Sequence, residues 1–253
     1  MIGLLEEIAE AVHLAVKGGE GDDLSAEVGM GADGTPTQKI DRIAEEAILE
    51  TLNEHGNPLN VLSEEADFID NGAEQTLVID PIDGTYNALA GIPFYSVSLA
   101  VGKEVMSDIE FGLIRDLVNG TIYHSEKGRG AYKDGSPIKV KEYDPDKSVF
   151  LLYLGSNANP KAFELAAMAR RARNYGAASL ELAMVASGVA DLYMVDAKPM
   201  IRLVDLAAGA LILREAGGEI YNTDGDVLEL RFGPRERSNF IAVGDKKLLD
   251  EVI

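Results

Sequence analysis

Asp80 and Asp83 stand three positions apart in VIDPIDGTYNALAGIPF, residues 78–94, around Pro81 and just before Gly84 and Thr85. Two carboxylates that close repel each other, and Asp80 follows Thr76-Leu77-Val78-Ile79, which has the composition of a buried strand. A cation, backbone amides or solvent at a turn can compensate such a pair. A strand end delivering carboxylates beside a helix N-terminus offers oxygen ligands to Mg²⁺ and free N–H groups to a phosphate. Pro81 stiffens that turn and aims the Ile82 carbonyl into the same space. The plainer reading is a β-turn at Asp83-Gly84, because Asp-Gly recurs at 33–34, 134–135 and 224–225.

Two further stretches weigh against the plain turn. NVLSEEADF puts Glu64 and Glu65 directly after another short apolar run, upstream of Asp80. IRLVDLAAGALILREAGG puts Asp205 at the start of an otherwise apolar helix, where a lone Asp is ordinarily an N-cap. The turn that follows it, Leu206-Ala207-Ala208, is apolar and mostly small, so its backbone can pack closely on a neighbour.

The elements that must position these residues show in the hydrophobic spacing. Ile2, Leu4, Leu5, Ile8, Val12 and Val16 predict a helix over 2–17, and Ile40, Ile43, Ala44, Ala47, Ile48 and Leu52 predict a second, ended by HGNP at 55–58. The Gly-rich, acidic segment between them reads as a loop or short strand followed by a mobile loop. Strand-like runs at 59–63, 76–80, 94–102, 109–116 and 120–126 follow, then a hairpin turning at Asp134-Gly135. That is two helices and a mostly antiparallel sheet. Beyond the 140–147 region the pattern alternates. Strands are expected at 148–154, 173–175, 190–195, 218–221 and 239–243, with helices at 160–172, 179–188, 204–216 and the C-terminus. The expected organisation is two lobes, 1–143 and 144–253.

Composition narrows the function classes. With no cysteine, disulfides, thiolate metal sites and a cysteine nucleophile are excluded. His13, His55 and His124 are scattered and adjoin no other catalytic candidate, so a Ser-His-Asp set is not expected either. The formal charge of −20 argues against nucleic-acid binding and repels phosphorylated substrates unless divalent cations reverse the local sign. A solvated acidic surface of the salt- or heat-adapted kind explains the charge equally well. Glu6, Glu7 and Glu10 interrupt the first apolar stretch, and no uncharged run reaches the roughly 18 residues of a spanning helix. A cytoplasmic protein with no membrane partner is expected.

S-E-E at 63–65, D-P-I-D-G-T-x-N at 80–87 and V-D-L-A-A-G-A-x-I-x-x-E-A-G-G at 204–218 resemble the inositol monophosphatase superfamily of Mg²⁺-dependent sugar phosphatases. GIPFYSVSLAV, GRGAYKDGSPIKV and YGAASLELAMVASGVADLY fall in that family's order and approximate spacing. VDAKPMIRLVD is similar to the archaeal branch, which handles both inositol monophosphate and fructose 1,6-bisphosphate. The resemblance implies a mixed α+β and α/β fold, a layered αβαβα sandwich with the site between two lobes. It implies a homodimer, and two or three Mg²⁺ ions, replaceable by Mn²⁺, held by Glu64, Asp80, Asp83, Asp205 and the Ile82 carbonyl. Glu64 and Thr85 would orient and deprotonate the attacking water, and Gly84 and Thr85, with Asp83 beside them, would hold the phosphate. Asp41 matches an outer carboxylate near the metals, and Asp33 a mobile metal-sensing loop. Arg173, Ala178 and Lys198 match substrate contacts, with Lys198 standing where arginine is expected; it keeps the charge but not the bidentate fork.

The chemistry implied is hydrolysis of small sugar or polyol phosphate monoesters without a covalent enzyme intermediate. Two alternatives stay open. One is a nucleotide phosphatase acting on 3′-phosphoadenosine 5′-phosphate or NADP⁺, disfavoured by the absence of tryptophan. The other is a catalytically silent regulatory homologue, disfavoured because all five implied metal positions are present.

Overall fold

Apolar side chains at three- and four-residue spacing wind Ile2–Gly18 into helix α1, which buries Leu5, Ile8, Ala9, Val12 and Val16. In the computed structural model, which describes residues 1–19, 23–31, 36–198 and 200–253, this helix packs on α2, Lys39–Glu54. A short antiparallel ribbon, β1 (Glu27–Met30) and β2 (Pro36–Gln38), leads into α2. The Gly-rich segment therefore carries a strand pair, and Asp33 lies outside the described residues.

The first sheet takes its strands from β3 (Asn60–Ser63), β4 (Asp67–Ile69) and β5 (Thr76–Asp83). After the short helix α3 (Thr85–Ala90) come β6 (Ser96–Gly102), β7 (Phe111–Asp116), β8 (Ile122–Glu126), β9 (Ala131–Lys133) and β10 (Ser136–Ile138). Their order is β10-β9-β8-β7-β6-β5-β3-β4, and every pair is antiparallel except β3 with β5. The β9–β10 turn falls at Asp134 and Gly135, both at positive φ as a two-residue hairpin requires.

The second half contributes β11 (Val149–Leu152), α4 (Pro160–Met168), β12 (Arg171–Arg173), α5 (Ala178–Ala186) and β13 (Leu192–Val195). It continues through β14 (Ile201–Arg202), α6 (Leu203–Glu215), β15 (Glu219–Tyr221), β16 (Arg237–Ser238), β17 (Phe240–Val243) and α7 (Lys246–Val252). The second sheet runs β12-β11-β13-β17-β15 and is mixed: β11 pairs in parallel with both neighbours, whereas β17 is antiparallel to β13 and β15. The helix expected over 160–172 stops at Met168. The backbone is already extended at Ala169, because Arg171–Arg173 is recruited as an edge strand on β11.

Period-two alternation sorts the side chains into layers. Leu77, Ile79, Val97, Leu99 and Leu113 face α1 and α2, while Val78, Ala100 and Ile114 face the opposite way, toward α5 and α6. In the second sheet Leu151, Tyr193, Phe240 and Ala242 meet the other side of that helical layer. Phe150, Leu152, Met194 and Ile241 pack beneath α4 and α7. The architecture is an αβαβα sandwich. Its central layer is tight: a Cβ on Gly112 of β7 would stand 3.1 Å from the Ala208 carbonyl oxygen, so α6 lies against the sheet at a distance a larger residue would forbid.

Candidate active site

Residues three apart on a regular strand point to opposite faces, yet Asp80 pairs with Ser98 and Asp83 with Ser96, two residues apart on β6. The extra residue is a bulge at Pro81-Ile82, and it turns both carboxylates to one side of the sheet. Gly84 then takes φ 93°, leaving the strand and opening α3. A Cβ there would meet Ala177 Cβ at 3.1 Å, the Phe94 carbonyl oxygen at 3.2 Å and the Gly176 carbonyl oxygen at 3.3 Å, so glycine is required by both conformation and space.

Asp80 is fully buried. Its Oδ1 accepts the Ile82 amide at 3.1 Å, while Oδ2 has no hydrogen-bond partner. Burial, then the Asp205 and Asp83 carboxylates, push its pKa well above the ordinary range. Glu64 follows β3, which lies beside β5, and Asp205 is in the first turn of α6. One carboxylate oxygen from each of Glu64, Asp80 and Asp205 lies within 4.8 Å of the others. An orphaned buried oxygen inside an all-oxygen donor set fits a hard divalent cation, so the acidic residues can form a metal site. The adjacent Glu65 accepts from Thr37 Oγ1, and its charge acts on Asp41.

Asp205 is not the N-cap. It is the third helical residue, reaching back to the cap position at Arg202: Oδ2 accepts the Arg202 backbone amide and Nε, both at 3.1 Å, and Oδ1 accepts Nη2 at 2.9 Å. Arg202 Nη1 contacts Glu64. Burial works against the Asp205 charge, but this guanidinium holds its pKa below the usual range. Arg202 thus joins two of the clustered carboxylates, a role the sequence reading missed. Its i, i+3 spacing to Asp205 was the available signal; the Glu64 contact had none.

Asp83 takes a different place. Its Oδ1 accepts the Ala178 amide at 2.9 Å, and its Oδ2 accepts the Ser179 amide at 2.7 Å and Ser179 Oγ at 2.5 Å. Burial and the Asp205 charge outweigh these bonds and raise its pKa to about 7. Ser179, also missed, shares its hydroxyl with Ser96 at 2.8 Å. Glu181, two residues further along in the first turn of α5, accepts the Tyr175 and Gly176 amides at 3.1 and 3.2 Å, and burial raises it to about 7.

Thr85 Oγ1 is 2.9 Å from both Asp41 Oδ1 and the Ile82 carbonyl oxygen. The Ile82 carbonyl is thereby engaged beside the cluster. Asp41 is only 7% exposed, so it is not a solvent-facing helical residue, and burial raises its pKa to about 6.

A cavity of about 410 Å³ opens here, with Asp83, Gly84, Thr85, Ala178 and Asp205 on its walls. Arg173 and Lys198 do not line it. Both are exposed; Arg173 Nη1 donates to the Ala172 carbonyl at 2.7 Å, and Lys198 borders a neighbouring depression with Asp196 and Asn157. His55 meets Glu7 at 3.2 Å and His124 stacks on Tyr132, both away from this cavity.

The sandwich gathers carboxylates from three separate stretches of the chain beside a cavity, a donor set that could hold a divalent cation. Residues 1–253 match the inositol monophosphatase family, and the chain belongs to it. A fructose-1,6-bisphosphatase/inositol-1-monophosphatase of Methanocaldococcus jannaschii is 35% identical over 231 residues, covering 91% of this chain and 89% of the relative. A solved inositol monophosphatase-fructose 1,6 bisphosphatase superposes with a TM-score of 0.89 at 33% identity, covering 99% and 97% of the two chains. A bifunctional NADP phosphatase/NAD kinase of Methanococcus maripaludis is 34% identical, covering 91% of this chain and 44% of the relative. The chain is a phosphatase. No helix among the described residues is long and apolar enough to cross a membrane.

Proposed function

We propose that this chain hydrolyses small sugar and polyol phosphate monoesters, fructose 1,6-bisphosphate to fructose 6-phosphate and inositol 1-phosphate to inositol, with Mg²⁺ at the carboxylate cluster. The convergence of Glu64, Asp80 and Asp205 within 4.8 Å of one another, beside Gly84 and Thr85, carries this reading. Glu64, Asp80, Asp83, Asp205 and the Ile82 carbonyl would hold two or three ions, and Mn²⁺ would substitute. Cations held there would supply the charge neutralisation and water activation that a dianionic ester demands.

The chain's own residues supply position and proton transfer. Gly84 and Thr85, on the cavity wall where α3 begins, hold the phosphate. Thr85 Oγ1 accepts a proton from the attacking water as it passes its own to Asp41 Oδ1, 2.9 Å away. With a pKa raised to about 6, Asp41 is a base matched to neutral pH. Glu64 orients the water with Thr85. The Ala178 and Ser179 amides fix Asp83 while it faces the cavity.

Assay of phosphate release tests the reading. Activity on fructose 1,6-bisphosphate and inositol 1-phosphate should vanish in EDTA and return with Mg²⁺ or Mn²⁺; activity that survives complete metal removal overturns it. The same reading includes a cytoplasmic homodimer, to be checked by sedimentation. It also includes lobes divided at 143/144, with Asp83 to Tyr86 contributed from one side of the cavity and Tyr153 onward from the other.

The nucleotide reading has support of its own in the NADP phosphatase relative and in Tyr86, 78% exposed at the cavity rim, where a base can stack. Including NADP⁺ and 3′-phosphoadenosine 5′-phosphate in the assay separates the two.

A further inference from the structure

The carboxylate end of the cavity leaves open how the rest of a substrate is recognised. A bisphosphorylated sugar brings a second dianion into a protein of formal charge −20, and that group needs its own cation. Among the described residues, the cationic side chains on the cavity wall are Arg202 and Arg237. Arg202 is committed to Glu64 and Asp205.

Arg237 is placed by the two-stranded ribbon β14–β16, in which it pairs directly with Arg202. Directly opposed residues of an antiparallel pair project from one face, with Cα atoms about 4.5–5.5 Å apart. The two guanidinium groups therefore start together and part: Arg202 turns to the carboxylates, while Arg237 Nη1 donates to the Met200 carbonyl at 3.3 Å. That contact ties Arg237 to Met200 just before β14, and the residue is half-buried on a cavity wall it shares with Tyr153 and Asn174. A planar guanidinium with five N–H donors is the side chain best shaped to take a phosphate in two bonds.

We propose that Arg237 is a specificity-determining residue, holding the second phosphate of a bisphosphorylated sugar while the first is cleaved at the carboxylate cluster. This rests on the phosphatase reading above and extends it. It assigns the distal contact to Arg237 rather than to Arg173 or Lys198, whose side chains lie outside this cavity.

Steady-state kinetics of the Mg²⁺-loaded full chain test it, with fructose 1,6-bisphosphate and inositol 1-phosphate run in parallel. Losing a charge-assisted hydrogen bond corresponds to a factor of roughly 10–100. Arg237→Gln should lower the ratio of the two kcat/KM values, bisphosphate over monophosphate, by that factor, through KM rather than kcat. Arg237→Lys should recover part of the ratio. Arg173→Gln and Lys198→Gln should each leave the ratio within about twofold. Raising ionic strength should increase KM for the bisphosphate more steeply in the wild type than in Arg237→Gln. Equal losses on both esters in both Arg237 variants would mean that Arg237 merely supports the fold, and would overturn the proposal. So would an unchanged ratio, or a selective loss that appears in Arg173→Gln or Lys198→Gln instead. If the wild type cleaves neither ester with Mg²⁺, the phosphatase reading fails and this assignment falls with it. A wild type that cleaves inositol 1-phosphate keeps the two failures distinct.

Discussion

Thr85 Oγ1 lies 2.9 Å from Asp41 Oδ1, so one hydroxyl ties the first turn of α2 to the start of α3 beside the carboxylate cluster. If this pair moves the proton of the attacking water, Thr85→Val and Asp41→Asn should each lower kcat by roughly 10²–10⁴. Their combination should cost little more than either alone, because the two act as one unit. The acidic limb of the pH-rate profile should also flatten in Asp41→Asn, since the base works deprotonated and its pKa is raised to about 6. Bound cations pull that limb lower in the loaded enzyme. Additive losses in the double variant would refute the relay.

Burial raises Asp41 to about 6 and both Asp83 and Glu181 to about 7. Groups with raised folded pKa values bind protons more tightly folded than unfolded, so the stability they confer is present at acidic pH and lost as pH rises through those values. For Asp41 alone, the shift from 3.8 to about 6 corresponds to roughly 3 kcal/mol. The metal-free protein should therefore melt at a higher temperature at pH 5 than at pH 8. Mg²⁺ should raise the melting temperature more at pH 8, where the cluster is ionised. Asp205, held low by Arg202, contributes its own change only below this window. Scanning calorimetry in EDTA checks the sign, and a melting temperature that climbs from pH 5 to pH 8 would be the contrary result.

Much of this site was legible because its motifs are local. Asp80, Pro81, Asp83, Gly84 and Thr85 are neighbours, and an apolar run before them marks a strand end; the spacing of Leu5, Ile8, Val12 and Val16 likewise marked α1. What was illegible needed the third dimension. Glu64 reaches Arg202 across 138 positions of chain, and the parallel pairing of β3 with β5 depends on where β4 folds back. The bulge that turns Asp80 and Asp83 to one side appears only in the register against β6. Arg171 and Ala172 were read into a helix because Ala-rich sequence favours helix, and pairing with β11 overrides that preference.

Arg202 bridges Glu64 and Asp205, two of the three clustered carboxylates. Arg202→Met keeps an unbranched stem and removes the guanidinium and its charge. In the metal-free protein this should cost about 3–5 kcal/mol, the penalty for stranding a buried ion pair's partner. The unneutralised cluster should then bind Mg²⁺ more tightly, by about tenfold for each ~1.4 kcal/mol of competition removed. Titration calorimetry reads both the affinity and the protons released. A weaker affinity would instead show that the guanidinium holds Glu64 and Asp205 in place for the metal.

Asp83 separates the ligand role from the structural one. Both of its oxygens accept hydrogen bonds at the start of α5, from Ala178 N, Ser179 N and Ser179 Oγ. An asparagine has one acceptor oxygen, and its amide nitrogen would face an N–H donor, a mismatch worth about 1–3 kcal/mol. Removing a buried charge offsets part of this, because Asp83 is raised to about 7 and is ionised at pH 8 only at a cost. Asp83→Asn should therefore melt within a few degrees of the wild type in EDTA at pH 8, while turnover falls by roughly 10²-fold, about 2.7 kcal/mol of transition-state stabilisation. Asp83→Ala strands all three donors and should be clearly less stable than the asparagine variant. Mg²⁺ should stabilise neither variant as it does the wild type. If the asparagine and alanine variants lose stability equally while both keep the wild-type response to Mg²⁺, Asp83 serves α5 and not the metal site.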